Sequence, residues 1–168
     1  MPKHLYLLRH AEAGAKESRQ EDKSRTLTQA GTKDSVHIGN WFREQNIDFD
    51  LMVCSSAVRA AETAGLVAEG MKREKPGILS EDSLYEASVR QLLDYVNNIE
   101  DGYGQVLVVG HNPSISYLAE YLTKADVGDM APGSVVVIRF ESGSWKLVSE
   151  NTGQLLHYVT PSSLVNRE

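Results

Sequence analysis

Residues 105–114 read Gln-Val-Leu-Val-Val-Gly-His-Asn-Pro-Ser, and the reading of the fold turns on the apolar run Val106 to Val109. An unbroken, β-branched run suits a strand buried on both faces, the usual setting of a parallel sheet. It stops at Gly110-His111-Asn112-Pro113, and Pro113 or Ser114 starts a helix in which Ile115, Leu118, Ala119 and Leu122 recur at helical spacing. Gly128 and Pro132-Gly133 mark the exit from that segment.

The same pattern occurs upstream. Leu5 to Leu8 ends on Arg9-His10 and gives way to a polar loop reaching Ser24, and Leu51 to Cys54 ends on Ser55-Ser56 before an alanine-rich helix over Ala57 to Ala68. Thr28 is the N-cap of a further helix from about Gln29 to Gln45, carrying Val36, Ile38, Trp41 and Phe42, although Gly31 and Gly39 speak against it. Another helix is expected from about Val89 to Asn98. Lys72 to Ser83, charged and containing Pro76-Gly77, reads as a surface connection. Val135 to Phe140 and Trp145 to Val148, joined by Glu141-Ser142-Gly143-Ser144, read as an antiparallel hairpin. Alternating strands and helices predict an α/β fold, a three-layer α/β/α sandwich whose mostly parallel sheet carries an antiparallel hairpin at one edge.

A chain of 168 residues with 41% hydrophobic content buries one substantial core, so residues 1–168 are read as a single domain. The net charge of -6 and the absence of a Lys/Arg-rich run argue against a nucleic-acid partner. An anionic substrate stays open, because a phosphate site needs a few convergent donors rather than a basic surface. No apolar run is long enough for a membrane span, no secretory h-region is evident, and Cys54 is the only cysteine, so a cytoplasmic protein without a disulfide is expected.

In a parallel sheet the ligand crevice lies at the carboxyl ends of the strands. Each expected parallel strand ends on residues suited to phosphate chemistry: Arg9-His10, then Ser55-Ser56 with Arg59, then His111-Asn112. Any one of these alone fits an exposed loop, a solvated helix residue or a turn cap. Structural arginines and histidines have no reason to choose the same end of successive strands, so the convergence points to a site. Arg59 falls in the first turn of its helix, where free N–H groups also favour an anion. Thr63 shares the face of Arg59, and a hydroxyl bonded to its own helix explains it equally well.

Four segments together resemble the histidine phosphatase superfamily, whose fold is phosphoglycerate mutase-like: Leu8-Arg9-His10-Ala11-Glu12, Arg25-Thr26-Leu27-Thr28-Gln29-Ala30-Gly31, Cys54 to Thr63, and Val109-Gly110-His111-Asn112-Pro113. The short chain is most similar to the SixA-type phosphohistidine phosphatases. The resemblance implies a phosphatase in which His10 is the nucleophile and Arg9, Arg59 and His111 hold the phosphoryl oxygens. It further implies that Arg25 is an additional phosphate contact, with Asp22 a neighbour that orients it, and that Glu86 stands where many members carry a proton donor. No metal or other cofactor is implied, since guanidinium forks supply the charge. Ala11 stands where a glycine is common, and Asn112 replaces the aspartate that acid phosphatases use.

The partner is then a phosphorylated protein, such as a phosphohistidine domain, or a small phosphorylated metabolite. The rival from another class is a catalytically silent module that binds a phosphoprotein, whose mark would be a lost histidine or arginine. A cysteine phosphatase loop does not fit, because one residue too few separates Cys54 from Arg59 and no glycine intervenes. Cys54 therefore reads as a buried strand residue, and His4, His37 and His157 lack the company of a metal site.

Overall fold

The computed structural model describes residues 1–73 and 77–165. Its strands are β1 Lys3–Arg9, β2 Leu51–Ser55, β3 Ile78–Glu81, β4 Gln105–Gly110, β5 Val135–Phe140 and β6 Gly153–Val159. Its helices are α1 Gln29–Glu44, α2 Val58–Gly70, α3 Val89–Asn97, α4 Ser114–Thr123 and α5 Pro161–Val165. The sheet runs β3-β2-β4-β1-β5-β6. The first four of these are parallel, whereas β5 lies antiparallel to β1 and β6 antiparallel to β5.

Because side chains alternate along each central strand, one face of the sheet presents Leu5, Leu7, Val53, Val106 and Val108 to α3 and α4. The other presents Tyr6, Leu8, Met52, Cys54, Leu107 and Val109 to α1 and α2. Both faces are covered, which is why the strands read as continuous apolar runs rather than alternating ones. Phe42 of α1 is fully buried and meets Tyr6 and Phe49 edge-on, with centroids 5.8 and 5.0 Å away. Its burial stabilises the fold by about 2–3 kcal/mol.

Gly39, one of the two glycines that weakened the first helix, is a condition for its packing, as is Gly70 of α2. A Cβ on Gly39 would lie 2.2 Å from the Val67 carbonyl of α2, and one on Gly70 would lie 2.4 Å from the Val36 carbonyl of α1. Backbone meets backbone where the two helices cross, so only glycine fits. Thr28 caps α1 as expected, its hydroxyl accepting the Gly31 N–H at 3.0 Å.

Two expectations are corrected. Trp145 to Val148 is not the second arm of a hairpin; Trp145–Leu147 forms a short 3-10 turn and β6 pairs with β5 instead. The Trp145 indole is fully buried and donates to the Tyr103 carbonyl at 2.7 Å, while the backbone of the turn is bonded by the Asn97 and Asp101 side chains. With its polar groups engaged there, the segment has no ladder to offer. The connection from Lys72 to Ser83 contains β3, a short edge strand beside β2 whose exposure hid it from a search for apolar runs. Pro76 of that connection lies outside the described residues.

Candidate active site

In the sheet, β2, β4 and β1 are neighbours, and their registers bring Arg9 opposite Gly110 and Cys54 opposite Val109. The carboxyl ends of these strands are therefore level. Beyond them lies a cleft of about 310 Å³ lined by Arg9, His10, Asp22, Arg25, Arg59, Tyr85, Glu86, His111 and Asn112. All six residues singled out for chemistry, Arg9, His10, Arg25, Arg59, Glu86 and His111, line it.

His10 leaves β1 with its backbone tied down, its N–H donating to the Gly110 carbonyl at 3.0 Å. Its Nδ1 lies 2.8 Å from the carbonyl of Ala11. A carbonyl can only accept, so Nδ1 carries the proton and Nε2 keeps its lone pair. Arg59 Nε donates to that Nε2 over 3.3 Å, as the assignment requires. Burial first, then the charges of Arg59, Arg9 and Arg25, hold the imidazole down at about 4, although its bond to Ala11 opposes this. The ring is neutral near pH 7, and burial outweighs the arginines that sequence reasoning emphasised.

Arg9 donates through Nη1 to the Met130 carbonyl at 2.7 Å, while its buried Nε has no hydrogen-bond partner. The rest of the guanidinium borders the cleft, where its positive charge favours an anion. Arg59, only 6% exposed, donates through Nη1 to the Asp22 carbonyl at 2.8 Å and through Nη2 to Asp22 Oδ2 at 3.1 Å. Arg25 donates to Asp22 Oδ1 at 2.9 Å and to the Gly14 carbonyl at 2.9 Å. The tie between Asp22 and Arg25 is present, and the same carboxylate also orients Arg59.

Tyr85 is the residue the sequence did not reveal. Its hydroxyl donates to Asp22 Oδ2 at 2.7 Å, and its ring stands edge-on to His111 with centroids 5.8 Å apart. That bond pushes the phenol up to about 12, and it is the leading reason the Asp22 carboxyl lies well below the usual carboxylate range, with Arg25 next. Its place immediately before Glu86 was the available signal.

His111 starts the β4–α4 turn, 5.2 Å from His10 between ring centroids, with Nε2 lying 2.8 Å from Ser55 Oγ. Burial holds it neutral as well, at about 4. Glu86 is exposed at the rim in a left-handed conformation, φ 57°. Asn112 turns to the Met130 carbonyl at 3.2 Å and accepts from Ser116 at 2.6 Å.

Thr63 serves the site through the backbone. Its hydroxyl donates to the Arg59 carbonyl at 2.7 Å, as an ordinary helix hydroxyl does, and accepts the Ala11 N–H at 3.0 Å. Cys54 is buried, and burial pushes its thiol up to about 11. Among the described residues no group of three or more His, Cys, Asp or Glu side chains is arranged to hold a metal.

Arginine forks around a neutral histidine whose Nε2 bears a lone pair can receive a phosphoryl group and meet its charge. Comparison with known proteins agrees. Residues 5–92 match the model of the histidine phosphatase superfamily, branch 1. An uncharacterised protein of Mycobacterium tuberculosis is 28% identical over 152 residues, covering 83% of this chain and 91% of its own length. Phosphohistidine phosphatase SixA of Escherichia coli is 24% identical over 143 residues, covering 83% and 88%. The structure of a candidate SixA phosphohistidine phosphatase from Nakamurella multipartitia superposes with a TM-score of 0.81 at 25% identity, covering 96% of this chain and 97% of that one.

Proposed function

The chain belongs to the histidine phosphatase superfamily, and from that premise we propose that it is a metal-independent phosphatase that forms a phosphohistidine on His10 and takes phosphohistidine in a protein as its substrate. The observation that carries this reading is the His10 ring: neutral, fixed by the Ala11 carbonyl, with Nε2 among Arg9, Arg59 and His111.

In the first half-reaction the Nε2 lone pair attacks phosphorus in line, the N–P bond forms as the bond to the leaving group breaks, and the electron pair departs with that group. Charge gathers on the equatorial oxygens, where Arg9, Arg25, Arg59 and His111 meet it. Nδ1–H stays on the Ala11 carbonyl and steadies the ring as it becomes charged. In the second half-reaction water attacks phosphorus, the N–P bond breaks with its electron pair returning to Nε2, and the phosphate leaves carrying the oxygen and protons of that water, so His10 regains its neutral tautomer. An imidazole leaves more readily than an alkoxide, so a phosphohistidine substrate asks little of an acid. Glu86, at the rim, is placed to give a proton to the leaving group where one is needed.

The positive charge for phosphoryl transfer is present in the arginines, so turnover is expected in chelator. No helix among the described residues is long and apolar enough to cross a membrane. We propose a cytoplasmic setting, in which Cys54 stays a thiol, and one domain spanning the chain.

The test compares kcat/KM on a phosphohistidine-bearing protein domain with that on small phosphomonoesters, in chelator throughout. Higher values on the protein are expected. Higher values on the small esters would replace the substrate by a phosphorylated metabolite, and binding of the phosphoprotein without turnover of either would favour a silent module.

A further inference from the structure

We propose that Ser55 sets the tautomer of His111, so that His111 Nδ1 carries the proton and donates to the phosphoryl oxygens. Ser55 is thus a positioning residue, a role that rests on the phosphatase reading above.

Ser55 closes β2 and is fully buried. Its Oγ is reached by two groups: the Ala57 N–H, which donates to it at 3.2 Å, and His111 Nε2, which lies 2.8 Å away. An amide N–H can only donate, so that contact occupies a lone pair of Oγ and leaves the hydroxyl hydrogen still to be placed. A buried hydroxyl that fails to donate carries a desolvation penalty with nothing to offset it. Among the described residues the acceptor in contact is His111 Nε2.

A neutral imidazole has one N–H and one lone pair. If Nε2 accepts from Ser55, the proton is on Nδ1. Nδ1 makes no hydrogen bond among the described residues and is not a buried orphan, so it reaches the open cleft that the ring lines. The other tautomer would leave the Ser55 hydrogen stranded and turn a nitrogen lone pair toward the phosphoryl oxygens, replacing attraction by repulsion.

The two histidines are then set by opposite partners. The Ala11 carbonyl, an acceptor, puts the proton of His10 on Nδ1 and frees Nε2 as nucleophile. The Ser55 hydroxyl, a donor, occupies Nε2 of His111 and makes Nδ1 the donor. Both rings carry the same tautomer, one offering its lone pair to phosphorus and the other its proton to oxygen.

The experiment reads tautomers directly. Long-range proton–nitrogen spectra of protein labelled with ¹⁵N-histidine are recorded near pH 7.5, above the ordinary histidine pKa of about 6.5. His111→Gln assigns the resonance, and inorganic phosphate is then titrated in. His111 is expected to show an unprotonated Nε2 and a protonated Nδ1, with the Nδ1–H signal moving as phosphate binds. Ser55→Thr keeps the hydroxyl and keeps this pattern. Ser55→Ala shifts the proton toward Nε2 and weakens phosphate binding about tenfold, the loss of one hydrogen bond.

A protonated Nε2 on His111 in the unaltered protein, or an unchanged tautomer in Ser55→Ala, overturns the proposal. Should Ser55→Ala fail to fold, the unaltered protein and Ser55→Thr still decide it. The spectrum needs no turnover, so a failure of the phosphatase reading shows separately, as a protein that never carries a phosphoryl group on His10.

Discussion

Thr63→Val removes one hydroxyl and nearly nothing else, because valine has almost the same shape. The fully buried Thr63 Oγ1 accepts the Ala11 N–H at 3.0 Å and donates to the Arg59 carbonyl at 2.7 Å. The Arg59 carbonyl lies in the first turn of α2 and keeps its helical partner in the variant. The Ala11 N–H does not, since residue 11 is buried and no second acceptor among the described residues reaches it. One buried donor left unmade costs about 1–3 kcal/mol, and the valine methyl, facing polar backbone, recovers little of it. A loss of about 2 kcal/mol is expected, which for a chain of this length lowers Tm by about 4–8 °C. Urea unfolding should show a lower midpoint with an unchanged slope. Thr63→Ser, which keeps the hydroxyl, should lose less. A Thr63→Val protein within about 0.5 kcal/mol of the parent would refute the reasoning, because surface-like tolerance is incompatible with a buried orphan.

Four further outcomes are expected. Arg59→Lys keeps the charge but cannot reach His10 Nε2, the Asp22 carbonyl and the Asp22 carboxylate together, so kcat/KM should fall about 10²–10³-fold in steady-state assays. Both cleft histidines are held at about 4, so the acid limb of kcat/KM should fall near pH 4 and show no step at 6.5. The sign for stability follows from those depressed values: the unfolded chain takes up protons first, so denaturant titrations should show stability falling from pH 6.5 toward 4 and levelling below. Glu86→Gln should leave phosphohistidine hydrolysis nearly unchanged while slowing an alkyl phosphoester about 10²-fold; equal losses on both would remove Glu86 as a leaving-group acid.

The parallel core was legible because strands covered on both faces must be apolar at every position, as Val106 to Val109 are. The gathering of Arg9, His10, Arg59 and His111 followed from the rule that parallel strands open their crevice at one end. What escaped lay where that signal is weak. The edge strand β3 has little to bury, and β6 pairs with β5 through its backbone while exposing Leu156 and Tyr158. Trp145 to Val148 has a strand's composition, yet a fully buried indole tied to the Tyr103 carbonyl makes it a turn.

The site shows the same division. Charged residues at strand ends could be read from the sequence, and so could the tie of Asp22 to Arg25 three residues on, whereas the longer-range ties that aim them could not. Asp22 also reaches Arg59 and Tyr85, each from a separate segment, and no local spacing encodes that meeting. Thr63 had two readings from helical spacing, and its hydroxyl bonds both its own helix and the chain beside His10.

The central claim is that His10 itself carries the phosphoryl group. Incubating the protein with a labile phosphodonor in chelator, quenching rapidly and mapping acid-labile phosphate by mass spectrometry tests it directly, with His10→Ala as the control. The account predicts label on His10 that turns over without metal and is lost in the variant. Turnover with label on another residue, or an active His10→Ala protein, would contradict it.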